Sequence, residues 1–473
     1  MSERHGILIG GRLRSTGRTL DVFNPYDGAL VGGTYLAGHE EFEEAVASAE
    51  IAYEELKTYP AYKRAALIGA VVDGIEVNAE EFSRTIALEA GKPIRDARIE
   101  VKRAQNTFQL ALEEAKRMEG VALPLDVFEG ADGRIGIIRR FPIGVVLGIS
   151  PFNFPLNLVA HKVAPAMASG NAIILKPSPR TPLSALKLGD IIIASGWPAG
   201  GVNVVPCDNA DVEALLSDSR IKKLSFTGSP DVGWALKLKA GRKKVTLELG
   251  GNAGVIVEGD ADIEYAAKRC TIGAFSNAGQ VCISVQRIYV KTEVFSAFKE
   301  AFLKNARGLR MGDPLDESTD LGPMIDEQSA RRAEEWVKEA VMDGAVILAG
   351  GKRNSSFMEP TVLTGTRPSM KVHSDELFAP VVTLESYDDF DEALNAVNSS
   401  RFGLQAGVFT NDMKKVFKAY DTLEVGAVVI NDAPTFRVDN MPYGGVKESG
   451  FGREGVRYAM EEMTEPRLLV VGK

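Results

Sequence analysis

Histidine and cysteine are scarce in this chain. Its 473 residues include four histidines (His5, His39, His161, His373) and three cysteines (Cys207, Cys270, Cys282). The histidines lie far apart, with no metal-ligand spacing among themselves or with cysteine, so no metal site is expected and histidine-centred catalysis is disfavoured. Three cysteines cannot build a disulfide framework over such a length, which fits a reducing, cytoplasmic compartment. Long apolar runs are lacking too. The longest, such as 143–149 (IGVVLGI), are strand-sized, well short of the roughly 20 residues a membrane helix needs. The first 20 residues carry no signal-peptide pattern. Basic residues are outnumbered, 55 against 64 acidic, for a net charge of −9, and form no block, which argues against a nucleic-acid surface. Catalysis would therefore fall to Cys, Glu, Asp or Lys.

Glycine, by contrast, is plentiful at 47 residues, and 45% of the chain is hydrophobic. The length exceeds one compact core, so two or more domains are expected. Short apolar runs recur at 143–149, 172–175 (AIIL), 202–205 (VNVV), 224–226 (LSF) and 245–249 (VTLEL), with helical periods at 156–168 and 183–194. Continuous apolar strands alternating with helices predict an α/β fold with a parallel sheet covered on both faces. Ligands in such sheets sit beyond the carboxyl ends of the strands, which puts 150–153, 176–178, 227–229 and 250–252 first in line. Upstream, helices are expected at 40–55 and 79–90, and a hairpin around 130–133. A second α/β unit begins near 251, with helices near 262–276, 293–307 and 326–342 and strands near 287–291, 344–348, 381–386 and 405–410. Residues 467–471 (RLLVV) read as a lone strand that completes a sheet in another subunit.

Single residues give balanced readings. Cys282 follows a small glycine-containing loop where a substrate could approach, yet free cysteines are more often buried packing residues, the better reading for Cys207 and Cys270. Glu248 stands inside an apolar strand, where burial raises a carboxyl pKa and suits a general base. A salt-bridged strand-end glutamate is equally compatible. Asn153, between Pro151 and Pro155, is either a fixed amide donor for an oxyanion or a helix cap. Lys176 could reach a ribose or phosphate, or lie solvated at its strand end. Gly228-Ser229 leads into a helix whose free N–H groups suit a phosphate, although neither usual glycine-rich phosphate loop occurs in this region.

Seven motifs follow in order: Pro151-Phe152-Asn153-Phe154-Pro155, Lys176-Pro177-Ser178, Phe226-Thr227-Gly228-Ser229, Glu248-Leu249-Gly250-Gly251, Gly279-Gln280-Val281-Cys282, Glu376-Leu377-Phe378-Ala379-Pro380 and Pro442-Tyr443-Gly444-Gly445. Together they resemble the aldehyde dehydrogenase superfamily over nearly the whole chain, and the stretch 431–442 (NDAPTFRVDNMP) is similar to lactaldehyde and glyceraldehyde dehydrogenases of the archaeal type and to phosphono- or semialdehyde dehydrogenases. The resemblance implies a Rossmann-type cofactor domain (1–119 and 141–250), an α/β catalytic domain (251–453) and a β oligomerisation arm (120–140 and 454–473), assembled as a homodimer or homotetramer. It implies Cys282 as the nucleophile, Asn153 in the oxyanion hole and Glu248 as the base that activates water. Contacts to NAD or NADP are implied at Ile149, Ser150, Phe152, Lys176, Ser178, Pro179, Gly228, Ser229, Val232, Leu249, Glu376 and Phe378.

Departures from the family pattern carry information. Many NAD-preferring members place an acid three residues after the lysine, where this chain has Pro179 and then Arg180, which makes NADP admissible beside NAD. Val281 stands where glyceraldehyde-3-phosphate relatives tend to have arginine, so a phosphorylated triose is disfavoured. Arg437 could anchor an anionic or hydroxyl group of the substrate at the tunnel mouth, or order its own loop through Asp439. The expected reaction is NAD(P)-dependent oxidation of a small polar aldehyde to its acid. The alternatives are transfer to coenzyme A, which the presence of Glu248 disfavours, and a catalytically idle cofactor-binding protein, whose mark would be loss of Cys282, Asn153 or Glu248.

Overall fold

A computed structural model describes residues 4–118 and 120–472. Met1, Ser2, Glu3, Glu119 and Lys473, at the ends of the expected segments, lie outside the described residues. Two large sheets organise the chain. The first has eight strands, ordered Arg12–Arg14, Ile7–Ile9, Val202–Val204, Ala172–Lys176, Val145–Ile149, Ile221–Thr227, Lys244–Glu248 and Gly450–Phe451. Its five central strands are parallel. Strands Val145–Ile149 and Ala172–Lys176 are buried at every position, as apolar strands sandwiched between helix layers must be. Helix Asn157–Ser169 is buried along its whole length.

The second sheet has seven strands, with Val285–Lys291 and Ala253–Val257 near its middle. It is parallel except for the edge pair Val346–Ala349 with Thr361–Thr364. Each sheet organises its own apolar core, the first around Leu147, Ile174 and Leu224, the second around Val255, Ile288 and Leu384. Gly450–Phe451, far along the chain, returns to pair with the end of Lys244–Glu248 in the first sheet, which ties the two halves together beside the site.

Helix Ile94–Arg117 shows why the amino-terminal region is helical. It buries Ala97, Val101, Ala104, Phe108, Ala111 and Ala115, a three-four spacing that places one apolar stripe against the core. Two buried glutamates then do a job that sequence patterns do not announce. Glu89 accepts from the backbone N–H groups of Leu183 and Ser184 at 2.8 and 3.0 Å, and Glu100 accepts from those of Leu156 and Asn157 at 2.9 and 3.1 Å. Each carboxyl satisfies the orphan donors at the start of a helix flanking the first sheet.

A third, three-stranded sheet runs Thr464–Val471, Ile135–Pro142, Val121–Pro124. The hairpin expected around 130–133 is present, with Gly130 and Gly133 in left-handed conformation between its strands. The carboxyl-terminal strand departs from expectation. It pairs over eight residues with Ile135–Pro142 of its own chain, so its first partner is intramolecular. Its other edge is unpaired among the described residues, and Leu468 to Val471 are each about half exposed.

Candidate active site

The strand ends converge on a cleft. Ile149, Ser150, Phe152, Lys176, Ser178, Pro179, Gly228, Ser229 and Val232 line a groove of about 220 Å³ beyond the carboxyl ends of the parallel strands. Phe152, Gly228 and Ser229 also line an adjoining cavity of about 310 Å³ that holds Asn153, Glu248, Leu249, Cys282, Glu376 and Phe378. Every residue of the expected cofactor and catalytic sets thus faces one continuous cleft. A third cavity, of about 410 Å³, approaches Cys282 and Asn153 past Arg103, Arg269 and Arg437.

Local backbone geometry presents the thiol. Asn277, Ala278 and Gly279 are successively left-handed, with φ of 52°, 54° and 67°. This strained turn reverses the chain after helix Ile263–Phe275. A Cβ on Gly279 would collide with the carbonyl oxygen of Ala379, and one on Gly251 with the carbonyl oxygen of Cys282. Gly279 is therefore required by conformation and by close approach, and Gly251 by close approach alone. Gly250 makes room for the Glu376 carboxylate in the same way, and Glu376 accepts from the Gly251 backbone N–H at 3.0 Å.

Asn153 donates one amide hydrogen to the carbonyl of Gln280 at 2.9 Å, which orients the side chain beside the loop that carries Cys282. It does not cap the following helix, a task taken by Glu100. The backbone carbonyl of Asn153 is itself held by the buried ammonium of Lys92 at 2.7 Å, and Lys92 pairs with Glu100. The loop is thus clamped from both sides.

Glu248 ends its strand buried, and neither carboxylate oxygen has a hydrogen-bond partner among the described residues. Burial, reinforced by the nearby charge of Glu454, holds its carboxyl well above the usual range. The ion-paired alternative does not apply. Glu454 behaves oppositely: despite burial it is kept ionised by Lys162 and His161, with Lys162 Nζ at 3.0 Å and His161 Nδ1 at 3.3 Å. Burial also pushes the Cys282 thiol up to about 11, partly offset by a hydrogen bond with Tyr443. Cys207 and Cys270 are buried, and burial pushes both thiols further up than that of Cys282, in the direction of an inert thiol.

Arg437 lies deeper than a tunnel mouth. Its side chain is 7% exposed, stacks over the Tyr443 ring at 3.5 Å, and sets Nη2 2.7 Å from His161 Nδ1. Asp439 is 3.8 Å from its Nε and bonds His161 and Arg103 more closely, at 2.9 and 2.8 Å. Lys176 Nζ donates to Asn209 at 2.6 Å, and Arg180 reaches Asp326 at 2.9 Å across the groove's rim.

Sequence reasoning missed Arg103, His161, Lys162, Tyr443 and Glu454. The one local signal was the charged pair His161-Lys162 inside an apolar helical run. Their partners lie hundreds of residues away, so spacing could not find them. Among the described residues no cluster suited to a metal ion occurs.

The model of the aldehyde dehydrogenase family matches residues 13–469. The chain belongs to that family. A 3-sulfolactaldehyde dehydrogenase of Priestia aryabhattai is 45% identical over 470 residues, covering 99% of this chain and 98% of the relative. The crystal structure of aldehyde dehydrogenase 21 from Physcomitrella patens, in complex with the reaction product succinate, superposes with a TM-score of 0.98 at 43% identity, covering 100% and 99% of the two chains. A glyceraldehyde-3-phosphate dehydrogenase of Methanocaldococcus jannaschii, complexed with NADP, gives a TM-score of 0.93 at 40% identity over 97% of this chain and 100% of its own. The protein is thus an aldehyde dehydrogenase that uses NAD or NADP, with the α/β architecture of the family. The cleft fits such a cofactor on its own terms. The buried Ser150 hydroxyl is unpartnered among the described residues, and the Lys176 ammonium and the start of helix Pro230–Lys239 meet in the same groove.

Proposed function

We propose that this aldehyde dehydrogenase oxidises a small anionic aldehyde to its free acid, with Cys282 as nucleophile, Asn153 as oxyanion donor and Glu248 as the base for hydrolysis. The Cys282 sulfur attacks the aldehyde carbon to form a thiohemiacetal. The second amide hydrogen of Asn153, with the Cys282 backbone N–H, stabilises the oxyanion. NAD or NADP, when bound, accepts the hydride. The resulting thioester on Cys282 is then hydrolysed by a water that gives its proton to Glu248. Lys176, Ser178, Pro179, Ile149, Ser150 and Val232 hold the adenosine side of the cofactor, and Phe152, Gly228, Ser229, Leu249, Glu376 and Phe378 the side toward Cys282. With Pro179 in place of an acid, nothing on that turn repels a 2′-phosphate, which supports NADP.

The anionic substrate rests on the cavity that approaches Cys282 from the side of the three arginines. Four cationic side chains line it (Lys92, Arg103, Arg269, Arg437) against two carboxylates (Asp96, Glu100). The Nε atoms of Arg103 and Arg437 are buried without a hydrogen-bond partner among the described residues, an expensive arrangement that an anionic group would relieve. A panel of succinate semialdehyde, sulfolactaldehyde, lactaldehyde and propanal, run with each cofactor, tests this reading. Anionic aldehydes should lead, and Arg437→Met should cost them about 10- to 100-fold in kcat/KM, the worth of one hydrogen bond to a charged group at about 1.5–3 kcal/mol. A loss on propanal as large as that on the anionic aldehydes, or no loss on either, would contradict it. An acyl-coenzyme A product would contradict the role given to Glu248. The three-stranded arm, with its open apolar edge, supports assembly into a homodimer or homotetramer.

A further inference from the structure

The reaction assigned to Cys282 needs a thiolate, and its surroundings oppose one. Burial raises the thiol, so little of it would be ionised near neutral pH without help. The charged and titratable groups facing the sulfur are Arg437, which favours ionisation, Glu248 and Glu376, which disfavour it, and Tyr443. No histidine is hydrogen-bonded to the sulfur, and the residue sits in a turn after a left-handed reversal.

Tyr443 stands apart in this set. Its hydroxyl lies 3.0 Å from Cys282 Sγ and has no other hydrogen-bond partner among the described residues. The side chain is buried at 3% exposure, and its own ionisation is pushed far up by burial and by the neighbouring sulfur, so it remains a donor across the working range. The Arg437 guanidinium lies 3.5 Å above the ring. A cation there withdraws electron density from the phenol and strengthens the O–H as a donor. A hydrogen bond made to the charged form of a group favours that form.

We propose that Tyr443 is a catalytic residue: its hydroxyl donates to the Cys282 sulfur and holds it as the thiolate, with Arg437 over the ring strengthening the donation. Ionisation breaks the S–H bond and the proton leaves to water in the cavity. Tyr443 keeps its own proton throughout, and the sulfur electron pair released by ionisation forms the C–S bond with the aldehyde carbon. The proposal rests on the assignment of Cys282 as nucleophile.

The test is alkylation of the cofactor-free enzyme by iodoacetamide at fixed pH values between 7 and 10, read as the rate at which the Cys282 peptide gains mass, in the parent and in Tyr443→Phe. Phenylalanine keeps the ring and its stacking on Arg437, and an unchanged circular dichroism melt verifies the fold. The alkylation rate should fall roughly tenfold in the variant across that range, the equivalent of about one pH unit in the thiol. The acid limb of kcat/KM for the aldehyde should move with it, while the KM for the cofactor stays. An unchanged or raised alkylation rate would overturn the proposal and leave the Cys282 assignment standing. Failure of Cys282 to alkylate in the parent would overturn both.

Discussion

Burial acts on Cys282 and Glu248 in the same direction with opposite consequences. A raised thiol is a weaker source of nucleophile, whereas a raised carboxyl is a stronger base once ionised. The environment therefore suits Glu248 to its task unaided and leaves Cys282 dependent on neighbours. Glu248 works only when ionised, so thioester hydrolysis should fall as pH drops through its raised pKa and level off above it. Single-turnover deacylation rates measured across pH should show that limb in the parent. Glu248→Gln should lose both the limb and about 10²- to 10⁴-fold in rate, the usual worth of a positioned base. A variant that keeps the limb would assign it to another group.

At the scale of elements, much was legible in advance. Apolar runs located the central strands because both faces of a parallel sheet are buried, and the helix after 182 runs Leu183–Ala194 as its periodicity predicted. The ordered motifs placed Cys282, Glu248 and Asn153 in one family pattern, and the fold brings them to one cavity. What could not be read was whatever depends on contacts distant in sequence. Glu89 and Glu100 look like surface residues of amphipathic helices, yet they cap helices begun some 60 to 90 residues later. Thr464–Val471 looked unpaired because its partner strand lies more than 320 residues upstream. The Glu100 clamp is testable. Glu100→Ala strands the Lys92 ammonium in the interior, and breaking a buried pair in this way costs about 3–5 kcal/mol. Denaturant unfolding should show a loss of that order, while Glu80→Ala, at an exposed pair with Arg98, should leave the midpoint in place. Equal effects would mean that the buried pair carries no special weight.

Across the whole molecule, the groove of about 220 Å³ lies at the strand ends of the first sheet, and the left-handed turn at 277–279 brings Cys282 to the cavity that adjoins it. The arm adds an open strand edge bearing Leu468, Leu469, Val470 and Val471, each about half exposed, a surface that monomeric proteins rarely leave bare. Leu468→Asp combined with Val470→Asp should shift the enzyme toward monomer in light scattering after size-exclusion chromatography. An unaltered mass would place the subunit contact elsewhere. The net charge of −9 is compatible with an anionic substrate because the cationic side chains are gathered inside the cavity, where a low dielectric makes them count.

The most direct test of the account is the covalent intermediate. Glu248→Gln mixed with an anionic aldehyde and NADP, quenched within a single turnover and examined by intact and peptide mass spectrometry, should carry one acyl group on Cys282 for each NADPH formed. NADPH formation with no acyl group on Cys282, or with the acyl group on another residue, would contradict it.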